Sequence, residues 1–241
     1  MLLYPDGKPL VLEDYNDVGR EWNYGRGIPG YSDPEQPELY ATDDVAFLER
    51  LIDDLALDLN IDRDRVYVTG FSNGGFMTER TACEANTTFA AYVVAGATML
   101  PELPNLYCDA APPVPIMYMH GTLDGSVPWD GITSHGQTLT LSAPDSVLYW
   151  ATHNGCNPDA TSLDVLLPTT DPNPATEVYK YTFSGCDDGA DVWFYVIENG
   201  GHNLPGVDRL DSSIAANVNM DIHVGETWWA FLSQYARDQD R

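Results

Sequence analysis

Apolar positions along this chain fall into two spacings. Val45, Leu48, Leu51, Ile52, Leu55 and Leu59 recur every three or four residues. That spacing predicts a helix over about 42–59, with Thr42 as its cap and Asp43 and Asp44 at its positive end. Arg65–Thr69 is rich in β-branched and aromatic residues and reads as a strand. It runs into Gly70-Phe71-Ser72-Asn73-Gly74-Gly75, and a helix is predicted from there through about Cys83. Ala90–Ala97 and Pro115–His120 read as buried strands, and Asp145–His153 as a helix. Glu177–Phe183 and Asp191–Ile197 alternate like paired strands. Thr227–Tyr235, with Trp228, Trp229, Phe231 and Leu232, reads as a closing helix. Residues 1–4 form a short apolar strand ended by the turn signal Pro5-Asp6-Gly7. Residues 16–41, rich in Gly, Pro, Tyr and Asn, read as a long surface loop. Strand and helix in alternation predict one α/β domain over 1–241, a mostly parallel sheet flanked by helices.

Composition narrows this picture. Hydrophobic residues make up 44% of the 241, enough for a full core. No apolar run reaches the length of a membrane span, and Met-Leu-Leu-Tyr-Pro-Asp-Gly lacks the basic and apolar regions of a signal peptide. Thirty-seven acidic against 11 basic residues give a formal charge of −26. Such a surface repels phosphate backbones and argues against nucleic acid as a partner. Two readings of the acidity stand: an acidic secreted protein, or adaptation to salt, which screens carboxylate repulsion. The four cysteines, Cys83, Cys108, Cys156 and Cys186, allow three pairings, and four free thiols are the alternative. None forms C-x-x-C, so zinc is poorly supported. Cys156 and Cys186 both sit in loop-like sequence, where a bridge would stabilise by about 2–4 kcal/mol and imply an oxidising compartment. The Asp187–Asp191 cluster has incomplete spacing for calcium. No metal and no cofactor is expected.

The strongest local signal is Gly70-Phe71-Ser72-Asn73-Gly74 between a strand and a helix. Small residues two before and two after the serine let strand and helix approach. Ser72 is then presented at a helix N-terminus, and the backbone N–H of Asn73 points at the same space as an oxyanion donor. A serine nucleophile needs a base and an orienting carboxylate. Asp124 follows the strand ending at His120, which puts it at the same sheet edge as Ser72, with Asp130 the local competitor. His202 follows Ile197 through Glu198-Asn199-Gly200-Gly201 and is the expected base. His120 reads as structural; His135, His153 and His223 read as surface or helix-end residues. Trp129, Trp22 and Tyr24 are aromatics that either stack on substrate or anchor loops.

At these residues the chain resembles a known group, the α/β-hydrolase esterases related to polyhydroxybutyrate depolymerases and feruloyl esterases. The landmarks are Tyr4-Pro5-Asp6-Gly7, Trp22-Asn23 with Gly25-Arg26-Gly27, Asp43 to Phe47, Arg65 to Gly75, His120-Gly121-Thr122-Leu123-Asp124, and Gly200 to Gly206. The resemblance implies a secreted or periplasmic serine esterase with a Ser72–Asp124–His202 triad. Its substrate would be a polyester or a feruloyl or acetyl ester of plant polysaccharide, with Trp22, Asn23 and Trp129 near it. It also implies a Cys156–Cys186 bridge and, second, Cys83–Cys108. Relatives carry upstream strands and a His-Gly-type loop that supplies another oxyanion donor. This chain begins at what would be their fourth strand, Leu2–Tyr4, and so reads as N-terminally truncated. If Leu2–Tyr4 lies about 4.8 Å from Val66–Thr69, the sheet has closed over the gap; about twice that spacing marks a missing strand. The alternatives are an incomplete hydrolase domain that only binds ligand and a serine peptidase of the same fold. Nothing in the sequence sets the oligomeric state.

Overall fold

The structure is a computed structural model that describes residues 1–9, 20–25, 42–166, 176–207 and 217–237. Packing divides the chain into two compact units, Met1–Ile61 and Asp62–Arg241. Most of the predicted 16–41 loop lies outside the described residues.

The first unit holds a two-stranded antiparallel ladder, β1 (Lys8–Pro9) on β2 (Arg20–Glu21), and helix α1 (Asp44–Ala56). Val45 and Ile52 are the buried apolar positions of α1. Its cap is Asp43, not Thr42: Asp43 Oδ1 accepts the Ala46 N–H at 3.0 Å. The helix stops at Ala56, so Leu57 and Leu59, 83% and 43% exposed, lie beyond it. Leu2–Tyr4 forms no strand, contrary to expectation, and all three side chains are exposed. Pro5 removes an N–H two residues before Gly7, and this short run has no ladder partner among the described residues.

The second unit is built on a six-stranded sheet. Its strands in chain order are β3 (Tyr67–Phe71), β4 (Ala91–Ala95), β5 (Ile116–Gly121), β8 (Ser162–Leu166), β9 (Glu177–Phe183) and β10 (Val192–Glu198). A separate hairpin, β6 (Ile132–Ser134) with β7 (Gln137–Thr140), intervenes. The spatial order is β3-β4-β5-β10-β9-β8. The first four strands pair in parallel, and β9 pairs antiparallel with both β10 and β8. Among the described residues Tyr67–Phe71 is therefore a terminal strand of this sheet. β4 is buried at every position, which is why its sequence, Ala-Tyr-Val-Val-Ala, does not alternate. β8 escaped sequence analysis because Leu163 and Val165 stay about half exposed at the other edge, where no core face imposes a pattern.

Helices α2 (Asn73–Glu84) and α3 (Ala143–His153) lie on one face, and α4 (Val224–Leu232) on the other. Under α4, Val93, Met117, Tyr195 and Ile197 meet Val224, Phe231 and Leu232 in one cluster. Burial of each large member stabilises by about 1.5–3 kcal/mol. Both disulfides form as the resemblance implied. Cys83–Cys108 ties α2 to a one-turn π-helix at Pro104–Cys108, and Cys156–Cys186 closes a 30-residue separation. No helix among the described residues is long and apolar enough to cross a membrane.

The opposite face holds a buried carboxyl. Glu79 of α2 accepts the Tyr118 hydroxyl of β5 and the Trp150 indole N–H of α3, the latter at 3.1 Å, both on Oε1. Its Oε2 is buried without a hydrogen-bond partner. Burial pushes the Glu79 pKa up to about 7, against the pull of the two hydrogen bonds. Unfolded, this carboxyl ionises near 4.5. Its contribution to stability is thus complete below about pH 4.5 and is lost as pH rises to about 7, on the order of 3 kcal/mol in all. Denaturant titrations at pH 5 and pH 8 should show Glu79→Gln losing less stability between the two than the wild-type chain, by about that amount.

Candidate active site

Ser72 sits between β3 and α2 at φ 55° and ψ −120°, a conformation costing roughly 1–3 kcal/mol for a residue with a Cβ. Its neighbours hold it there. The Ser72 N–H donates to the Ala95 carbonyl at 2.9 Å, and its own carbonyl accepts from Gly75 and Phe76. The strand and helix close on each other so tightly that a Cβ on Gly70 would lie 2.0 Å from the Gly74 carbonyl oxygen. The second small residue the turn requires is not Gly74, where a Cβ would meet nothing within 4 Å. It is Gly75, whose Cβ would lie 2.7 Å from the Ala97 Cβ. Asn73 is the first residue of α2, at the positive end of the helix dipole.

Asp124 and His202 come from the loops that follow β5 and β10, which are parallel neighbours. The two loops are stitched together: Thr122 N–H donates to Ile197 O at 3.0 Å, Leu123 N–H to Gly200 O at 2.9 Å, and Asn199 N–H to Thr122 Oγ1 at 2.8 Å. Gly121 permits this, since a Cβ there would lie 2.3 Å from Gly200 O. The result is an unbroken line. His202 Nδ1 donates to Asp124 Oδ2 at 2.6 Å, and the Ser72 hydroxyl donates to His202 Nε2 at 2.9 Å. An ionised carboxylate only accepts, which fixes this tautomer.

The Asp124 side chain is 1% exposed. Burial pushes its pKa up, but the hydrogen bond from His202, the Val127 N–H and the neighbouring imidazoles outweigh that, and the carboxyl lies below the ordinary aspartate value. Its Oδ1 accepts main-chain N–H groups from Ser126 at 2.9 Å and Val127 at 2.8 Å. A buried carboxylate so held orients an imidazole and stabilises its charged form, and a hydroxyl on the other side of the ring can lose its proton to it. Such an arrangement is chemically able to support acyl transfer.

No protein-family model matches the chain. Feruloyl esterase B of Piromyces equi is 28% identical over 204 residues, covering 82% of this chain and 34% of that protein. A bifunctional acetylxylan esterase/xylanase of Neocallimastix patriciarum is 25% identical, covering 89% of this chain and 26% of that one. The chain thus spans about a quarter to a third of the length of these curated relatives. Among solved structures, the acetyl xylan esterase from Aspergillus awamori aligns with a TM-score of 0.50 at 14% identity, covering 88% of this chain and 71% of that one. This likeness shows the α/β-hydrolase fold. Over most of its length the chain is similar in sequence to feruloyl esterases.

Trp22 and Asn23 belong to the first unit. Asn23 is buried there. Its N–H donates to Asp44 Oδ2 at 2.7 Å, its Nδ2 to Thr42 O at 2.8 Å, and its Oδ1 accepts the Gly25 N–H. The Trp22 ring faces Phe47 at 6.2 Å. Trp129 stacks on Phe194 at 5.6 Å and 14°, and meets His120 edge-on at 6.1 Å. These are the contacts of a loop anchor. Asp130 makes no contact with the Ser72–His202–Asp124 line and lies exposed.

The slot that holds the His202 ring was not legible in the sequence. Phe71 lies 4.6 Å from it, tilted by 35°. Against both rings lies Gly96, at φ 54°, where a Cβ would sit 2.7 Å from the Phe71 ring and 3.2 Å from His202 Cε1. The only signal in sequence was a glycine directly after the Ala91–Ala95 strand. The glycine contrast at Ser72 can be read directly by thermal denaturation. Gly75→Ala should destabilise by about 1–3 kcal/mol, whereas Gly74→Ala should be neutral or stabilise by up to about 1 kcal/mol.

Proposed function

We propose that this chain is a serine-type carboxylic ester hydrolase, secreted, acting on feruloyl or acetyl esters of plant polysaccharide. The observation that carries the reading is the single hydrogen-bonded line from Ser72 through His202 to Asp124 at neighbouring strand ends. The substrate class follows the relatives, one a feruloyl esterase and one an acetylxylan esterase. The two disulfides suit an oxidising compartment.

In the reaction, Ser72 Oγ attacks the ester carbonyl as its proton passes to His202 Nε2. The tetrahedral oxyanion is met by the Asn73 N–H at the start of α2. Collapse expels the alcohol, which takes the proton from His202 and leaves an acyl-Ser72 ester. Water then attacks that ester, giving its proton to His202, and the acid departs as Ser72 regains its proton. Asp124 remains ionised throughout and stabilises the imidazolium.

Turnover of p-nitrophenyl acetate and methyl ferulate tests this. Ser72→Ala should lower kcat by at least about 10³-fold with the fold intact. Equal background rates from wild type and Ser72→Ala would favour a domain that only binds ligand. Cleavage of the matching anilide at a rate comparable with the ester would favour a peptidase.

A further inference from the structure

His120 closes the buried strand β5, between β4 and β10, and its side chain is completely buried. A polar ring at such a place needs a partner, or its burial costs about 1–3 kcal/mol. The partner is the Val127 carbonyl, 2.9 Å from Nε2. A carbonyl only accepts, so the His120 proton is on Nε2. Val127 in turn donates its own N–H to Asp124 Oδ1. The turn that presents two main-chain donors to Asp124 is therefore gripped from beneath by His120.

We propose that His120 is a positioning residue for Asp124, pinning the Asp124–Val127 turn so that the carboxylate stays aimed at His202. The inference rests on the reading of Ser72, His202 and Asp124 as an acyl-transfer site. Its placement and its charge set its action apart from simple packing. His120 Nε2 is 3.7 Å from Asp124 Oδ2, too far for a hydrogen bond, so it does not compete with His202 for that oxygen. Burial also pushes the His120 pKa down, which keeps the ring neutral. An imidazolium at that distance would draw the carboxylate away from His202. The edge-on Trp129 ring, itself stacked on Phe194, fixes the plane of the imidazole. An aliphatic side chain at 120 would fill the space and leave the Val127 carbonyl without its donor.

The test uses the full chain and three variants. His120→Leu removes the donor, His120→Asn keeps a donor too short to reach Val127, and His120→Gln restores one of suitable reach. Proton NMR of ¹⁵N-histidine-labelled protein reads the His202 Nδ1 proton in its bond to Asp124, and p-nitrophenyl acetate kinetics read kcat and KM. The Leu and Asn variants should lose or shift that resonance and drop kcat by about 10–100-fold with KM little changed, while Gln recovers most of both. A folded Leu or Asn variant with wild-type resonance and wild-type kcat overturns the proposal. If Leu does not fold, the Asn and Gln pair decides it by the same readings. If the wild type shows the resonance but turns over no ester, the proposed function fails and the resonance alone still judges His120.

Discussion

Everything at the Ser72 site depends on the parallel register of four strands. Phe71, Ala95, Met119 and Tyr195 stand level across β3, β4, β5 and β10. Because the strands run the same way, the loops leaving their carboxyl ends all emerge at one edge. Ser72 departs from the first, Gly96 from the second, Asp124 from the third and His202 from the fourth. A slip of one residue would turn each side chain to the other face. The buried β4 and β5, packed on both faces, forbid that slip.

Register alone places loops; close backbone contact places atoms. Gly70 lets β3 meet the Gly74 carbonyl, Gly75 lets α2 meet the end of β4, and Gly121 lets the Asp124 loop meet the His202 loop. Each of these positions leaves room for a hydrogen only. The hydrogen bonds that follow, Ser72 N–H to Ala95 O and Leu123 N–H to Gly200 O, are available because those backbones touch. The strained φ of Ser72 is offset by these contacts and not by any feature of the serine itself.

Two buried carboxyls show how environment sets charge. Glu79 receives two hydrogen bonds on one oxygen and none on the other, in an apolar layer between α2, β5 and α3, and burial raises its pKa. Asp124 receives two main-chain N–H groups on one oxygen and an imidazole on the other, and its pKa falls. Burial opposes the charge in both; the number and placement of donors decides the outcome. In a chain of net charge −26, these two side chains are carboxyls whose state is fixed from within.

The sequence by itself determined the strand–turn–helix around Ser72, the late His202 with its flanking glycines, and Asp124 a few residues past a strand. Those are local patterns, with each residue type constrained by neighbours a few positions away. The α/β alternation was legible for the same reason, since periodicity is a local property of the chain. Tertiary structure decided what local pattern does not encode. It chose Asp43 over Thr42 as the α1 cap, and Gly75 over Gly74 as the tight glycine, because the atoms they must meet or avoid are set by three-dimensional placement. It made Trp129 an anchor against Phe194, a residue far along the chain. It left Leu2–Tyr4 without a ladder, and added β8 at an edge where exposure erases the hydrophobic signal. Gly96 beside His202, His120 beneath Asp124 and Glu79 beneath Trp150 belong to the same class. Their partners are distant in sequence, and only packing brings them within a few ångströms.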